Sequence, residues 1–180
     1  MEPVRRNKGA VRILLALVAV CALLTACSRR EQDSPERAQG AKAQFDSVTK
    51  EFHVPSAAVN GAERLRLQNE ATSHYLALVK KFPEQSNVCA QALRSIGNIR
   101  AAQTNLDAAV KVFARVGDDY PTQDWEVLQA WKTAADLLWE NGRKPEAQKF
   151  YSQIVARFDR AEESAIVKMV VRGSKGKLKE

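Results

Sequence analysis

A chain of 180 residues, 45% apolar and 27% charged, has room for one globular domain with appendages. Its formal charge of +7 sits at the two ends. Basic residues outnumber acids by three in 1–26 and by four in 168–180, and the signs balance over 27–167. A neutral body offers no basic stripe to a phosphate backbone, so nucleic acid is not an expected partner.

The chain opens on Arg5, Arg6, Lys8 and Arg12, followed by an apolar run from Ile13 to Ala26. The run is short for a bilayer span and has the length of a signal-peptide core. It closes on Leu24-Thr25-Ala26-Cys27, which resembles the lipobox of bacterial lipoproteins. The resemblance implies that 1–26 is a lipoprotein signal peptide, cleaved before Cys27. It also implies that Cys27 receives diacylglycerol on its thiol and often a fatty acid such as palmitate on its new amine. Several acyl chains hold a protein to a membrane because each buried methylene contributes about 0.8 kcal/mol. An aspartate after the cysteine would retain such a lipoprotein in the inner membrane; Ser28 stands there, so the resemblance implies the outer membrane, facing the periplasm. With Cys21 cleaved off and Cys27 acylated, Cys89 is the one remaining thiol and has no intrachain disulfide partner. It has no basic neighbours to favour a thiolate and reads as a small apolar core residue.

Residues 27–44 are polar, nearly without bulky apolar groups, and read as a solvated tether. A helix is predicted from its second half to about Phe52, with Phe45, Val48 and Phe52 on one face and Pro55 as its stop. Three segments then share one spacing. They are Ala71, Tyr75, Leu78, Phe82-Pro83; Ala109, Phe113, Val116, Tyr120-Pro121; and Ala147, Tyr151, Ile154, Phe158-Asp159. Neighbouring segments are offset by 38 residues both times. A fixed period of this size is the mark of a helical solenoid. The small residue lets two helices approach, the aromatic four residues later fills the gap, and the proline ends the helix. Upstream lie helices carrying Cys89, Leu93, Ile96 and Gly97, and Val127, Trp131, Ala134 and Ala135, each in steps of three and four. Gly97 and Ala135 are expected where paired helices touch, with Gln103-Thr104-Asn105 and Asn141-Gly142 as turns. Residues 161–172 read as a capping helix that covers the last repeat with Ala165, Ile166, Met169 and Val170. Gly173 is its expected end, leaving 173–180 as a basic tail.

This pattern resembles the tetratricopeptide repeat. Leu93, Ile96, Gly97, Ala109, Phe113, Val116 and Pro121 fall on the family's signature positions, as do Trp131, Ala134, Ala135, Leu138, Ala147, Tyr151 and Ile154. The sequence departs from the family in its period, in Arg100 at the usual tyrosine and in Asp159 at the last proline. The first repeat shows only a second helix. The resemblance implies an all-α fold: a tetratricopeptide-like solenoid of helix-turn-helix repeats over 45–172 with a capping C-terminal helix. The longer period is similar to that of outer-membrane assembly lipoproteins and periplasmic cell-division coordinators.

No catalytic constellation is present. His53 and His74 are separated in the chain, His74 reads as solvated, and no pair has zinc-ligand spacing. Phosphate loops and nucleophile elbows are absent, and the adjacent Asp118-Asp119 reads as a solvated helix end. The chain is therefore expected to be no enzyme, with neither cofactor nor metal. The resemblance implies instead a concave face built by the first helix of each pair. Gln91, Arg94 and Asn98 would lie on it from one repeat, and Gln129, Lys132, Asp136 and Trp139 from the next. Arg94 with Asn98 matches half of the family's carboxylate clamp; Thr133 stands where the second asparagine would be. Trp139 follows the core residue Leu138 and is expected exposed, as a contact anchor. The implied function is that of a non-catalytic scaffold or adaptor in outer-membrane assembly or envelope maintenance. It would bind another envelope protein on the concave face and the membrane through acylated Cys27. The alternative is a structural envelope protein whose basic tail contacts cell wall or anionic lipid.

Overall fold

The computed structural model describes residues 34–180, which are all-helical, without strands among them. The signal peptide and Cys27 lie outside the described residues. Seven helices follow in chain order: α1 (Pro35–Val48), α2 (Gly61–Lys81), α3 (Ser86–Ala102), α4 (Leu106–Asp119), α5 (Asp124–Glu140), α6 (Lys144–Phe158) and α7 (Ala165–Lys177). Gly40–Glu180 forms one compact unit, so its boundary falls within α1.

The expected tether is shorter than 27–44. Ser34 accepts a hydrogen bond from the backbone N–H of Arg37 at 3.3 Å, and Pro35 takes the first helical position. Both choices favour a helix start. Ala41, Phe45 and Val48 then make an inward stripe, with Ala41 and Val48 buried. Pro55 does not break the helix at once. The chain passes through a π-helical turn, Thr49–His53, and ends in one further turn, Val54–Ser56, where Pro55 takes an early position whose N–H needs no partner.

From α2 onward each helix packs on its predecessor, and α3 also touches α5. Their bounds repeat: α3 and α5 start and stop 38 residues apart, and α4 and α6 start 38 apart. The segments read from the sequence form the core. Ala71, Tyr75, Leu78 and Phe82, then Ala109, Phe113 and Val116, then Ala147, Tyr151, Ile154 and Phe158 are buried. Cys89 is buried too, its thiol donating to the Phe82 carbonyl at 3.1 Å. Gly97 sits where α3 and α4 meet: a Cβ there would stand 2.5 Å from the Phe113 ring.

Prolines set the helix ends. Pro83 and Pro121 push the residue before them out of helical backbone, so Phe82 and Tyr120 become caps with φ −128° and −131°. At the third position Asp159 replaces proline, Phe158 stays helical, and Asp159 is the cap.

The last helix differs from expectation in two ways. Gly173 does not end it; α7 continues to Lys177, so residues 173–177 are helix rather than tail. Ser164 caps it, accepting from the N–H of Val167 at 3.4 Å. Its inward side is Val167, Val171 and Ser174, with Leu178 packed on the core, whereas Ile166 and Met169 face solvent at 55% and 66% exposure. Among the described residues no helix is long and apolar enough to cross a membrane.

Candidate functional site

Two stripes run along α3 and α5: Gln91, Arg94 and Asn98 on one, Gln129, Lys132 and Asp136 on the other. Spacings of four and three keep each stripe on one side of its helix. All six residues are half-buried. Gln91 donates from Nε2 to Asn87 Oδ1 at 2.6 Å, one turn earlier.

Arg94 is tied down. Its Nε donates at 2.5 Å to Glu126 Oε2 on α5, and that carboxylate is buried. This pair locks α3 to α5. Removing the guanidinium leaves a buried charge without its partner, a change that costs several kcal/mol, about 3–5 in fully buried pairs. Arg94 is therefore structural as well as surface-facing, which corrects the expectation that alanine there would be cheap. Asp136 is in the same position: it pairs with Lys132 and accepts the Tyr151 hydroxyl at 2.8 Å. Burial, and behind it the Asp136 carboxylate, pushes the Tyr151 phenol up.

Asn98 and Arg94 do not form half of a clamp around one space. Asn98 lines a separate hollow with His53, Arg64 and Gln68, between the N-terminal turn, α2 and α3. The two histidines, separated in the sequence, dock on one region. His53 Nδ1 lies 3.2 Å from the Tyr75 hydroxyl, and the exposed His74 ring stacks on Phe52 at 4.9 Å. Burial holds His53 below the usual imidazole range.

Trp139 is not the exposed anchor expected of it. It is half-buried, meets Tyr151 edge-on at 6.1 Å, and lies under the ammonium groups of Lys144 and Lys177 at 4.6 and 4.3 Å. Lys177 comes from the segment first read as tail, and its cation–π contact is what covers the ring. Trp131, read as core, is half-buried; its ring fills the space over Gly117 and meets Phe158 edge-on at 6.4 Å.

The exposed anchor is Trp125, at 48% exposure. It lies four residues before Gln129 and extends the α5 stripe by one turn, as Asn87 extends the α3 stripe. The i, i+4 continuation was visible in the sequence, but the stripe was drawn from signature positions that begin later. Trp125, Asn87, Gln91, Thr122, Gln123 and Glu126 line an open hollow at the N-terminal ends of α3 and α5. The hollow joins one large aromatic surface to amide and hydroxyl groups, with a buried ion pair behind it.

Cys89 lies in the core, and burial pushes its thiol up, away from thiolate chemistry. Its neighbour Tyr120 is pushed up to about 12 by burial. Among the described residues no three histidine, cysteine or carboxylate side chains gather where they could hold a metal ion. No family model matches the chain, and no curated protein matches it.

Proposed function

We propose that this protein is a lipid-anchored adaptor of the bacterial cell envelope, whose helices form a tetratricopeptide-like solenoid with a protein-binding hollow at the starts of α3 and α5. The observation that carries the binding reading is Trp125: a tryptophan half in solvent, on a polar stripe, in an open hollow. Tryptophan is the residue type most enriched among binding anchors. Asn87 and Gln91 would supply hydrogen bonds to a partner's backbone, and the Arg94–Glu126 pair holds the two helices in register beneath them. The repeat itself supports the solenoid: pairs of helices of matching bounds, with the small-to-aromatic contact at Gly97 and Phe113 in the register the family uses.

The anchor rests on Leu24-Thr25-Ala26-Cys27. Metabolic labelling with a fatty-acid analogue is expected to mark the wild type and leave Cys27→Ser unmarked; equal labelling of both removes the lipoprotein reading. For the hollow, Trp125→Ala and Gln91→Ala are compared with wild type in two measurements. The thermal melt should shift by no more than about 0.5 kcal/mol, as at exposed positions. Recovery of the partner from detergent-solubilised envelopes, quantified by mass spectrometry, should fall about tenfold or more for Trp125→Ala. Unchanged recovery with an unchanged melt would remove the hollow as the binding site.

A further inference from the structure

The outer side of α7 has no equivalent elsewhere in the stack. The loop before it holds six residues, 159–164, where those before α3 and α5 hold four, 82–85 and 120–123. Those two extra residues shift the register from 38 to 40. Val127, Trp131, Ala134 and Leu138 of α5 then correspond to Val167, Val171, Ser174 and Leu178 of α7, and these are the residues α7 turns inward. In the same register Leu128 and Ala135 correspond to Lys168 and Lys175. Leu128 and Ala135 are buried, and Ala135 is the counterpart of Gly97, which receives the aromatic ring of the following helix. Lysines at these two places turn away a further apolar helix or an end-to-end copy of the chain, because docking would bury their charges.

What this side offers instead is charge in a line. Lys168, Arg172, Lys175 and Lys179 follow steps of four, three and four, a row about 16 Å long on a helix rising ~1.5 Å per residue. No acidic residue lies within Ala165–Lys177. Lys175 pairs with Asp159 at 2.6 Å, while Lys168, Arg172 and Lys179 make no ion pair among the described residues. Arg160, at the same cleft, is engaged by Glu163 and Asp124. Beside the row stand Ile166 and Met169, exposed, and a Cβ at Gly173 would meet nothing within 4 Å. A row of cations next to protruding apolar side chains, on an otherwise charge-balanced body, is the pattern of a helix that rests on an anionic bilayer. A single phosphate would need converging donors; an extended row fits an extended surface.

We infer that the outer side of α7 rests on the headgroups of an anionic membrane, with Lys168, Arg172 and Lys179 over phosphates and Ile166 and Met169 dipping among them. This deepens the alternative reading of a basic tail, moving the contact from a loose tail to one face of a helix, and it is independent of the hollow at Trp125.

The test uses the full-length chain reconstituted into vesicles of phosphatidylcholine alone or with about a third phosphatidylglycerol. On both, the N-terminal anchor is expected to hold the protein, so attachment itself is not the readout; loss from the neutral vesicles would count against the anchor alone. Acetylation of individual lysines is followed by mass spectrometry on the vesicle-bound fraction. Lys168 and Lys179 should react about threefold or more slowly on the anionic vesicles, with the protection fading as salt is raised. Lys111 on α4 should be unchanged. Lys168→Glu with Arg172→Glu should abolish the protection of Lys179 while the helical circular dichroism is retained. Ile166→Ser with Met169→Ser should weaken it. Equal reactivity on the two vesicle types overturns the proposal. So does equal protection by soluble polyglutamate without vesicles, which would mark the face as a site for an acidic protein.

Discussion

Thr104 and Gly142 hold one backbone conformation, 38 residues apart, with φ of 58° and 76°. Each closes the first helix of its pair in the same way. The N–H of Thr104 bonds to the Ala101 carbonyl and that of Asn105 to Arg100; Gly142 bonds to Trp139 and Arg143 to Leu138. This is the paired-hydrogen-bond helix stop that places its last residue in the left-handed region, where glycine is unstrained and a β-branched residue is not. Thr104 is exposed and its side chain packs on nothing that would repay the strain. Thr104→Gly is therefore expected to stabilise the protein by about 1 kcal/mol, and Gly142→Thr to cost at least as much. Urea unfolding of the two variants beside wild type checks both signs. The positions of these turns could be read from the sequence. The strain at Thr104 could not, because threonine there is against the local preference and only the period points to it.

Between elements, one interface is solved twice with different volumes. A Cβ on Gly117 of α4 would stand 2.5 Å from the Trp131 ring of α5. One period earlier the same two places hold Val79 and Leu93. Glycine with tryptophan and valine with leucine fill comparable space, so the pairs exchange as units. Gly117→Val alone should cost about 3 kcal/mol by overpacking, and Trp131→Leu alone about 2 kcal/mol by leaving a gap. Combined, they recreate the earlier pair, and the double variant should be more stable than the sum of the singles by about 1–2 kcal/mol in denaturant titrations. Strict additivity would show that the two residues do not share a space. At this scale the sequence was most legible where a residue acts on its own backbone: Pro83 and Pro121 end helices one residue earlier than Asp159 does. It was least legible for α7. Apolar residues lie on both sides of that helix, Ile166 and Met169 against Val167 and Val171. Two extra loop residues turn it by about 200° at 3.6 residues per turn, and that rotation decides which side is inward.

Across the whole molecule, the core was readable because it repeats, and the candidate site was readable only in part because sites depend on what does not repeat. Gln91 and Gln129 were placed correctly on one side of their helices. Trp139 was misjudged because its cover comes from Lys177, on a helix whose reach past Gly173 the glycine disguised. Arg94 was misjudged because Glu126, whose type suggests solvent, is buried at the start of α5 and needs a partner. The N-terminal layer was underestimated for want of bulky residues, although Ala41 is small enough to pack fully and Phe45 meets Tyr75 at 5.4 Å.

The matched turns at Thr104 and Gly142 make the interior of the stack interchangeable along its length. Excising 104–141 would join Gln103 to Gly142, leaving a helix stop with glycine in place and α6 following α3. Gly117 and Trp131 would leave together, so neither would be stranded. Tyr151 would come to lie over Gly97, where the Phe113 ring now sits, and its hydroxyl would face Asn98, the counterpart of Asp136. No such freedom exists at the C-terminal end, where Lys168 and Lys175 occupy the places a further helix would need. A stack built this way is extensible from its middle and closed at its tip.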